Sequence, residues 1–260
     1  MNNKTVLGVF DSGVGGLTVL RELIGRNRYE KIIYLGDTGR VPYGTRSAEK
    51  IREYAEEDLS FLLGCGADEI VAACGTVSAV ALDALREAHP GLHIEGVIDA
   101  TVAGAARATQ NGRIGVIGTA ATVKSGVYQR RLGGDFFVIP EACPLFVPLT
   151  EYGFAAGRGR ETVLAACDYY LSPLKEAGID TLVMGCTHFP LLESFFNEYF
   201  DGRVALINSG RELAMTVEEG NCTAPELDLF VTDDPKAFSA VAKAFSGCGN
   251  LPEPKKVKIQ

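Results

Sequence analysis

The chain reads as an α/β protein of two similar units, each built on a parallel sheet. Three observations lead there. Short apolar runs alternate with amphipathic stretches along almost the whole length, the pattern of strand–helix repeats. A segment near the start, Val9-Phe10-Asp11-Ser12, is echoed 107 residues later by Val116-Ile117-Gly118-Thr119. Two cysteines, Cys74 and Cys186, close matching apolar runs 112 residues apart, so both echoes keep nearly the same spacing.

Taken in order, the first strand is predicted over Thr5–Phe10, entered directly from Met1-Asn2-Asn3-Lys4. The loop Asp11-Ser12-Gly13-Val14-Gly15-Gly16 follows and opens a helix. Its glycines permit close backbone approach, and helix-start N–H groups can hold a carboxylate or phosphate. The spacing is neither Gly-x-Gly-x-x-Gly nor a P-loop with its lysine, which argues against a nucleotide site. A simple helix cap is the plainer alternative for Asp11 and Ser12. The second strand, Lys31–Leu35, runs into Gly36-Asp37-Thr38 and the turn Val41-Pro42-Tyr43-Gly44. That turn is either an ordinary connection or a loop facing the same crevice. A helix is predicted from Ser47 to Leu63, where Ile51, Tyr54, Ala55, Leu59 and Leu62 recur at helical spacing behind a serine N-cap.

Strands three and four are predicted at Glu69–Ala73 and Ile94–Val97. Further strands are predicted at Arg113–Ile117, Phe136–Ile139 and Thr181–Met184, and the two after Arg203, Val204–Ile207 and Leu227–Val231, are read as able to return to the first unit. A boundary near Val97–Asp99, with the chain returning to the first unit after Arg203, gives domains of residues 1–97 plus 208–260 and residues 98–207. In the segment Glu141–Glu151, Pro144 and Pro148 predict an extended apolar stretch that delivers Glu151 to a fixed place.

Composition narrows the function. A 260-residue chain that is 47% apolar and 22% charged can bury a sizeable core and suits a soluble globular protein. A formal charge of −8 argues against nucleic acid or an anionic membrane as partner. Lys255-Lys256-Val257-Lys258 is read as a solvated tail. No run approaches the ~18 apolar residues of a membrane span. Seven cysteines without compact spacing argue against a secreted disulfide framework and for a reducing, cytoplasmic setting.

The chemistry centres on Cys74 and Cys186. In a parallel sheet, ligands bind at the carboxyl ends of the strands. A cysteine there, beside the next helix start, meets N–H groups and a dipole that favour the thiolate. One such cysteine is most simply a small core residue; two in equivalent places suggest facing acid/base groups. His188, two residues after Cys186, can relay a proton. His89 and His93 flank a Pro-Gly turn and read as surface residues, while Cys65, Cys143, Cys167, Cys222 and Cys248 read as structural. Zinc held by Cys74, Cys143, Cys186 and His188 is disfavoured, because the ligands are scattered and no Cys-x-x-Cys occurs. A Cys–His hydrolase would leave one of the matched thiols without a role.

Five segments together resemble the cofactor-independent aspartate/glutamate racemase family, and within it the glutamate racemases. They are Phe10–Leu17, Gly36-Asp37-Thr38 with Pro42-Tyr43-Gly44, Ala73-Cys74 with Thr76, Cys143–Leu149 with Glu151, and Gly185-Cys186-Thr187-His188. The resemblance implies two domains related by a pseudo-two-fold, with the substrate in the crevice between them. It implies interconversion of L- and D-glutamate without a cofactor or metal, supplying the D-isomer for peptidoglycan, in a homodimer. It also implies that Cys74 handles the proton of the D-isomer and Cys186 that of the L-isomer. Asp11 is expected to assist Cys74, His188 to assist Cys186, and Glu151 to orient His188. Substrate contacts are expected from Asp11, Ser12, Pro42, Tyr43, Gly44, Gly75, Thr76, Thr119, Thr187 and His188. Gly75 departs from the pattern, since similar enzymes carry asparagine there. Glycine is expected to remove a donor and enlarge the pocket. That leaves a racemase of another small acidic amino acid, or a non-catalytic amino-acid-binding relative, as alternatives.

Overall fold

The computed structural model describes residues 5–154, 159–247 and 251–259; Met1–Lys4 and Cys248 lie outside them. Among the described residues the strands, in chain order, are β1 (Val6–Asp11), β2 (Lys31–Gly36), β3 (Glu69–Ala72), β4 (His93–Gly96) and β5 (Arg113–Gly118). They continue with β6 (Phe137–Ala142), β7 (Thr181–Met184), β8 (Ala205–Asn208), β9 (Glu226–Val231) and β10 (Lys255–Lys256). Two wholly parallel sheets result, ordered β10-β9-β2-β1-β3-β4 and β6-β5-β7-β8. Each matches a strand predicted from the sequence except β10.

The order β2-β1-β3-β4 in the first sheet is repeated as β6-β5-β7-β8 in the second. β1 therefore corresponds to β5 and β3 to β7, the pairs whose trailing loops carried the 107- and 112-residue echoes. In each sheet the chain leaves the central strand to one side and returns on the other. The carboxyl ends of β1 and β3, and of β5 and β7, are thus switch points where the loops part and leave a crevice. Apolar residues of β1 such as Leu7, Val9 and Phe10 are wholly buried because helices cover both faces of the sheet.

Helix Ala48–Gly64 starts where predicted, with the Ser47 hydroxyl accepting the Lys50 N–H at 3.3 Å. Three expectations need correction. The chain does not return to the first unit directly after Arg203: β8 pairs with β7, and β9 is the strand that crosses back. The Lys255–Lys258 segment is no solvated tail. Lys255 and Lys256 pair with Phe230 and Val231 in the first sheet, Val257 N–H donates to Val231 O, and Val257 and Ile259 pack on the core. Asp228 draws both Lys255 and Lys31, at 2.8 and 2.9 Å, so the lysines serve as partners of this edge. Finally, the proline-rich segment is not extended throughout, since Phe146–Glu151 is a helix. Pro148 falls in its first turn, where a missing N–H breaks no helical bond.

Candidate active site

A cavity of about 300 Å³ opens between the two sheets, where the loops after β1, β3, β5 and β7 face one another. Its wall includes Ser12, Pro42, Tyr43, Gly44, Cys74, Gly75, Thr76, Thr119, Glu151, Cys186, Thr187 and His188. Every residue expected to be catalytic or to contact substrate is on this wall except Asp11. The cavity also takes in Thr45, Ala120 and Val147, which sequence reasoning passed over because nothing in their type marks them.

Cys74 caps the helix Gly75–Val80 from the end of β3, and its thiol lies 3.7 Å from the Ser12 hydroxyl. The helix start does not win here. Burial, then the charge of Asp11, push the Cys74 thiol up to about 12, against hydrogen bonds from Val77 and Ser12. In the ligand-free protein Cys74 therefore holds its proton at neutral pH.

Cys186 enters from the opposite sheet, after β7, followed by a short 3₁₀ turn at Phe189–Leu192 rather than a long helix. Its sulfur is 3.8 Å from His188 Nδ1, and His188 Nε2 is 2.9 Å from Glu151 Oε1. Burial opposes a charge on the ring, yet hydrogen bonds to Cys186 and Glu151 and their charges outweigh it and push His188 up to about 10. The ring is an imidazolium at neutral pH. Aromatic packing fixes this relay: Phe146, on the helix that carries Glu151, meets Phe189 edge-on at 5.4 Å. A pair of that kind contributes about 0.5–1.5 kcal/mol beyond its buried area. From the first sheet's side, Phe245 sets its ring edge-on to His188 at 5.1 Å.

Asp11 is fully buried behind the wall. Its carboxylate accepts the Gly13 N–H at 3.0 Å and the Thr187 hydroxyl at 3.3 Å, so it ties the first loop to the second half. Burial raises its pKa, against the pull of His188 and the hydrogen bonds. It acts on Cys74 through its charge, not through a hydrogen bond. Across the crevice the Thr76 and Thr119 hydroxyls meet at 2.9 Å, and Thr119 also caps the helix Ala120–Ser125.

The Pro42-Tyr43-Gly44 loop is held by a group that sequence reasoning missed. Tyr43 donates to Asp37 and, at 3.0 Å, to Asp58; Arg40 bridges Asp37, Asp58 and Glu57. Thr232 donates to the other oxygen of Asp37 at 2.7 Å. Asp58 is fully buried, and burial with the neighbouring Asp37 charge pushes its pKa well up. The signal was present: Asp58 sits on the buried stripe of its helix with Ile51, Ala55, Leu59 and Leu62, where a carboxylate needs a partner.

Gly75 overturns the expectation of a larger pocket. A Cβ there would lie 2.3 Å from the Gly185 carbonyl oxygen, so main chain from the opposite half already fills the space. Among the described residues no three His, Cys, Asp or Glu side chains converge as metal ligands would. Cys143 and Cys167 are buried in the core of the second half, and His89 and His93 pair with Glu56 and Glu95 nearer the surface.

The Asp/Glu/Hydantoin racemase family model matches residues 19–217. The chain belongs to that family. A glutamate racemase from Geobacter metallireducens is 42% identical over 266 residues, covering 98% of this chain and 97% of its own. One from Aquifex pyrophilus is 46% identical, with 87% and 88% covered. Among solved structures, glutamate racemase from Francisella tularensis in complex with D-glutamate superposes with a TM-score of 0.86 at 30% identity, covering 98% of each chain. The relatives it matches over nearly its whole length are amino-acid racemases, and this chain is an isomerase of that class. Among the described residues no helix is long and apolar enough to cross a membrane.

Proposed function

We propose that this chain interconverts L- and D-glutamate by moving the α-proton between two thiols. The observation that carries the reading is that Cys74 and Cys186, from equivalent strands of the two sheets, line one cavity. Inversion at a tetrahedral carbon requires proton removal on one face and return on the other, through a planar carbanion. Two groups from opposite walls suit that task, and one would not. For L-glutamate, Cys186 is the base and Cys74 the acid; for D-glutamate they exchange roles. The protonated Cys74 of the ligand-free site is ready as the acid. For the reverse direction, an α-ammonium bound near Asp11 offsets the charge that holds that proton.

Negative charge that develops on the substrate carboxylate is met by hydroxyls and main-chain N–H groups of Ser12, Thr76, Thr119 and Thr187. Ser12 stands beside Cys74, and Thr187 lies between Cys186 and His188, so the donors flank both thiols. His188, oriented by Glu151, supplies or takes a proton on the Cys186 side. The Pro42-Tyr43-Gly44 loop closes the cavity over the distal carboxylate. In this reading the halves are residues 1–97 plus 208–260 and residues 98–207. The chain works without a cofactor, as a cytoplasmic homodimer, and supplies D-glutamate for peptidoglycan.

The test is circular dichroism of either enantiomer with reduced protein and no added cofactor. In deuterated water, the product enantiomer gains deuterium at the α-carbon. A folded, reduced protein that leaves the optical signal of both enantiomers unchanged would overturn the reading.

A further inference from the structure

We propose that Asp58 is a neutral carboxylic acid at neutral pH, and that the hydrogen bond it gives Tyr43 positions the Pro42-Tyr43-Gly44 loop on the cavity. The bearing on substrate rests on the racemase reading above; the proton itself does not. A count of hydrogens points to it. Asp37 meets donors only. Its Oδ1 accepts the Thr232 hydroxyl at 2.7 Å, whose own oxygen is taken by the Gly39 N–H at 2.8 Å. Its Oδ2 accepts Arg40 Nε at 2.5 Å and the Tyr43 hydroxyl. Asp58 Oδ1 accepts Arg40 Nη2 at 2.8 Å, and Asp58 Oδ2 lies 3.0 Å from the Tyr43 oxygen. A tyrosine brings one hydrogen for its two contacts. Committed to Asp37, it leaves two buried oxygens facing each other unless Asp58 brings a hydrogen of its own.

The charges agree with the count. Asp37 and Asp58 are both fully buried, and they share one guanidinium, that of Arg40. Glu57, the third acid on Arg40, is partly exposed and screened by water. The Tyr54 ring stacked on Arg40 at 4.2 Å adds no charge. One buried negative charge would thus go unpaired, and a proton on Asp58 removes it. Burial, then the Asp37 charge, push the Asp58 carboxyl well above the usual range, against the pull of Arg40 and Tyr43. Tyr43 and Gly44 line the cavity. Through Tyr43 the loop is joined to the helix Ala48–Gly64 by Asp58 and to the end of β2 by Asp37. Asp58 is therefore a positioning residue, set back from the reacting atoms.

The experiment is urea unfolding of wild type, Asp58→Asn and Asp37→Asn at pH 5, 6 and 7. An unfolded Asp58 is ionised there, since its ordinary pKa is 3.8. Its contribution is complete below that pH and is lost as the pH rises towards the folded value. Asparagine makes the same two hydrogen bonds and has no proton to lose. The folding constant of Asp58→Asn relative to wild type should climb about tenfold per pH unit, or about 100-fold from pH 5 to pH 7. A flat ratio would overturn the proposal, as would an Asp58→Asn protein that does not fold. Asp37→Asn should be the less stable variant at pH 7, because its amide sets a donor against the donors of Arg40, Tyr43 or Thr232. The reverse order would put the proton on Asp37 and overturn the assignment. Positioning is read from glutamate kinetics of Asp58→Asn against Asp58→Leu, or Asp58→Ala if leucine does not fold. KM should be lower in Asp58→Asn by at least about threefold, within the range of one neutral hydrogen bond, with the two kcat values within about twofold. Equal KM values would overturn the positioning role. A pH-dependent stability ratio in a protein that never racemises glutamate would instead overturn the racemase reading and leave the proton on Asp58.

Discussion

Replacing Glu151 by glutamine tests the relay behind Cys186. The substitution keeps the shape and an oxygen able to accept from His188 Nε2, and removes the negative charge 2.9 Å from the ring. His188 is buried, but the Glu151 side chain is 38% exposed, so solvent screens much of the attraction. A screened pair of this kind contributes at most about 1 kcal/mol, which is roughly 0.7 of a pH unit. The basic limb of the pH–rate profile, set where His188 loses its proton at about 10, should therefore move down by up to roughly 0.7 of a unit. Rate at neutral pH should fall by no more than about fivefold. L- and D-glutamate have equal free energies, so kcat/KM must change identically for both directions. Unequal changes would expose an error in the assay.

The same charge bears on stability. His188 binds its proton more tightly folded than at its ordinary 6.5, so its contribution is complete below that pH and is lost as the pH climbs to about 10. The gap in urea midpoint between wild type and Glu151→Gln should be wider at pH 6 than at pH 10.5. The assay is circular dichroism of racemisation from pH 6 to 11. A slower enzyme whose basic limb has not moved would refute the idea that Glu151 works through the ring.

Three other substitutions probe different parts of the same machinery. Cys74→Ser and Cys186→Ser should each abolish racemisation while leaving elimination of chloride from one enantiomer of a glutamate bearing chloride at Cβ, where a single base suffices: the L-form for Cys74→Ser and the D-form for Cys186→Ser. Both variants acting on the same enantiomer would contradict opposite-face placement. Asp58→Ala strips a buried carboxylate from Arg40 and Tyr43 and should destabilise the fold by about 3–5 kcal/mol. Urea denaturation measures it, and a loss below about 1 kcal/mol would show that the cluster does not anchor the loop.

Much of this molecule was legible along the chain because its signals are local. Strand–helix alternation is set by runs of a few residues, and so nine strands could be placed, eight of them to within one residue at each end and Phe136–Ile139 three residues short of the end of β6. Glycines and prolines mark loops by their own backbone limits. The spacing of the echoes at Asp11/Gly118 and Cys74/Cys186 even carried the repeat, since equivalent strands of like length preserve their offset. The wall of the cavity followed from the rule that carboxyl ends of parallel strands face one crevice.

What depended on distance in space was not legible. The thiol of Cys74 sits at a helix start, which alone would favour ionisation, yet burial and Asp11 from another strand reverse the outcome. Gly75 reads as a lost side chain and as empty room until Gly185, 110 residues away, is found against it. The Lys255–Lys256 segment has the charge of a solvated end, and becomes a strand because Asp228 and the open edge of β9 await it. Asp58 needed Arg40, Tyr43 and Asp37 around it before a carboxylate on an apolar stripe made sense. In each case the deciding term is desolvation, charge or steric contact from a residue remote in sequence. Those terms have no magnitude until the sheets are packed.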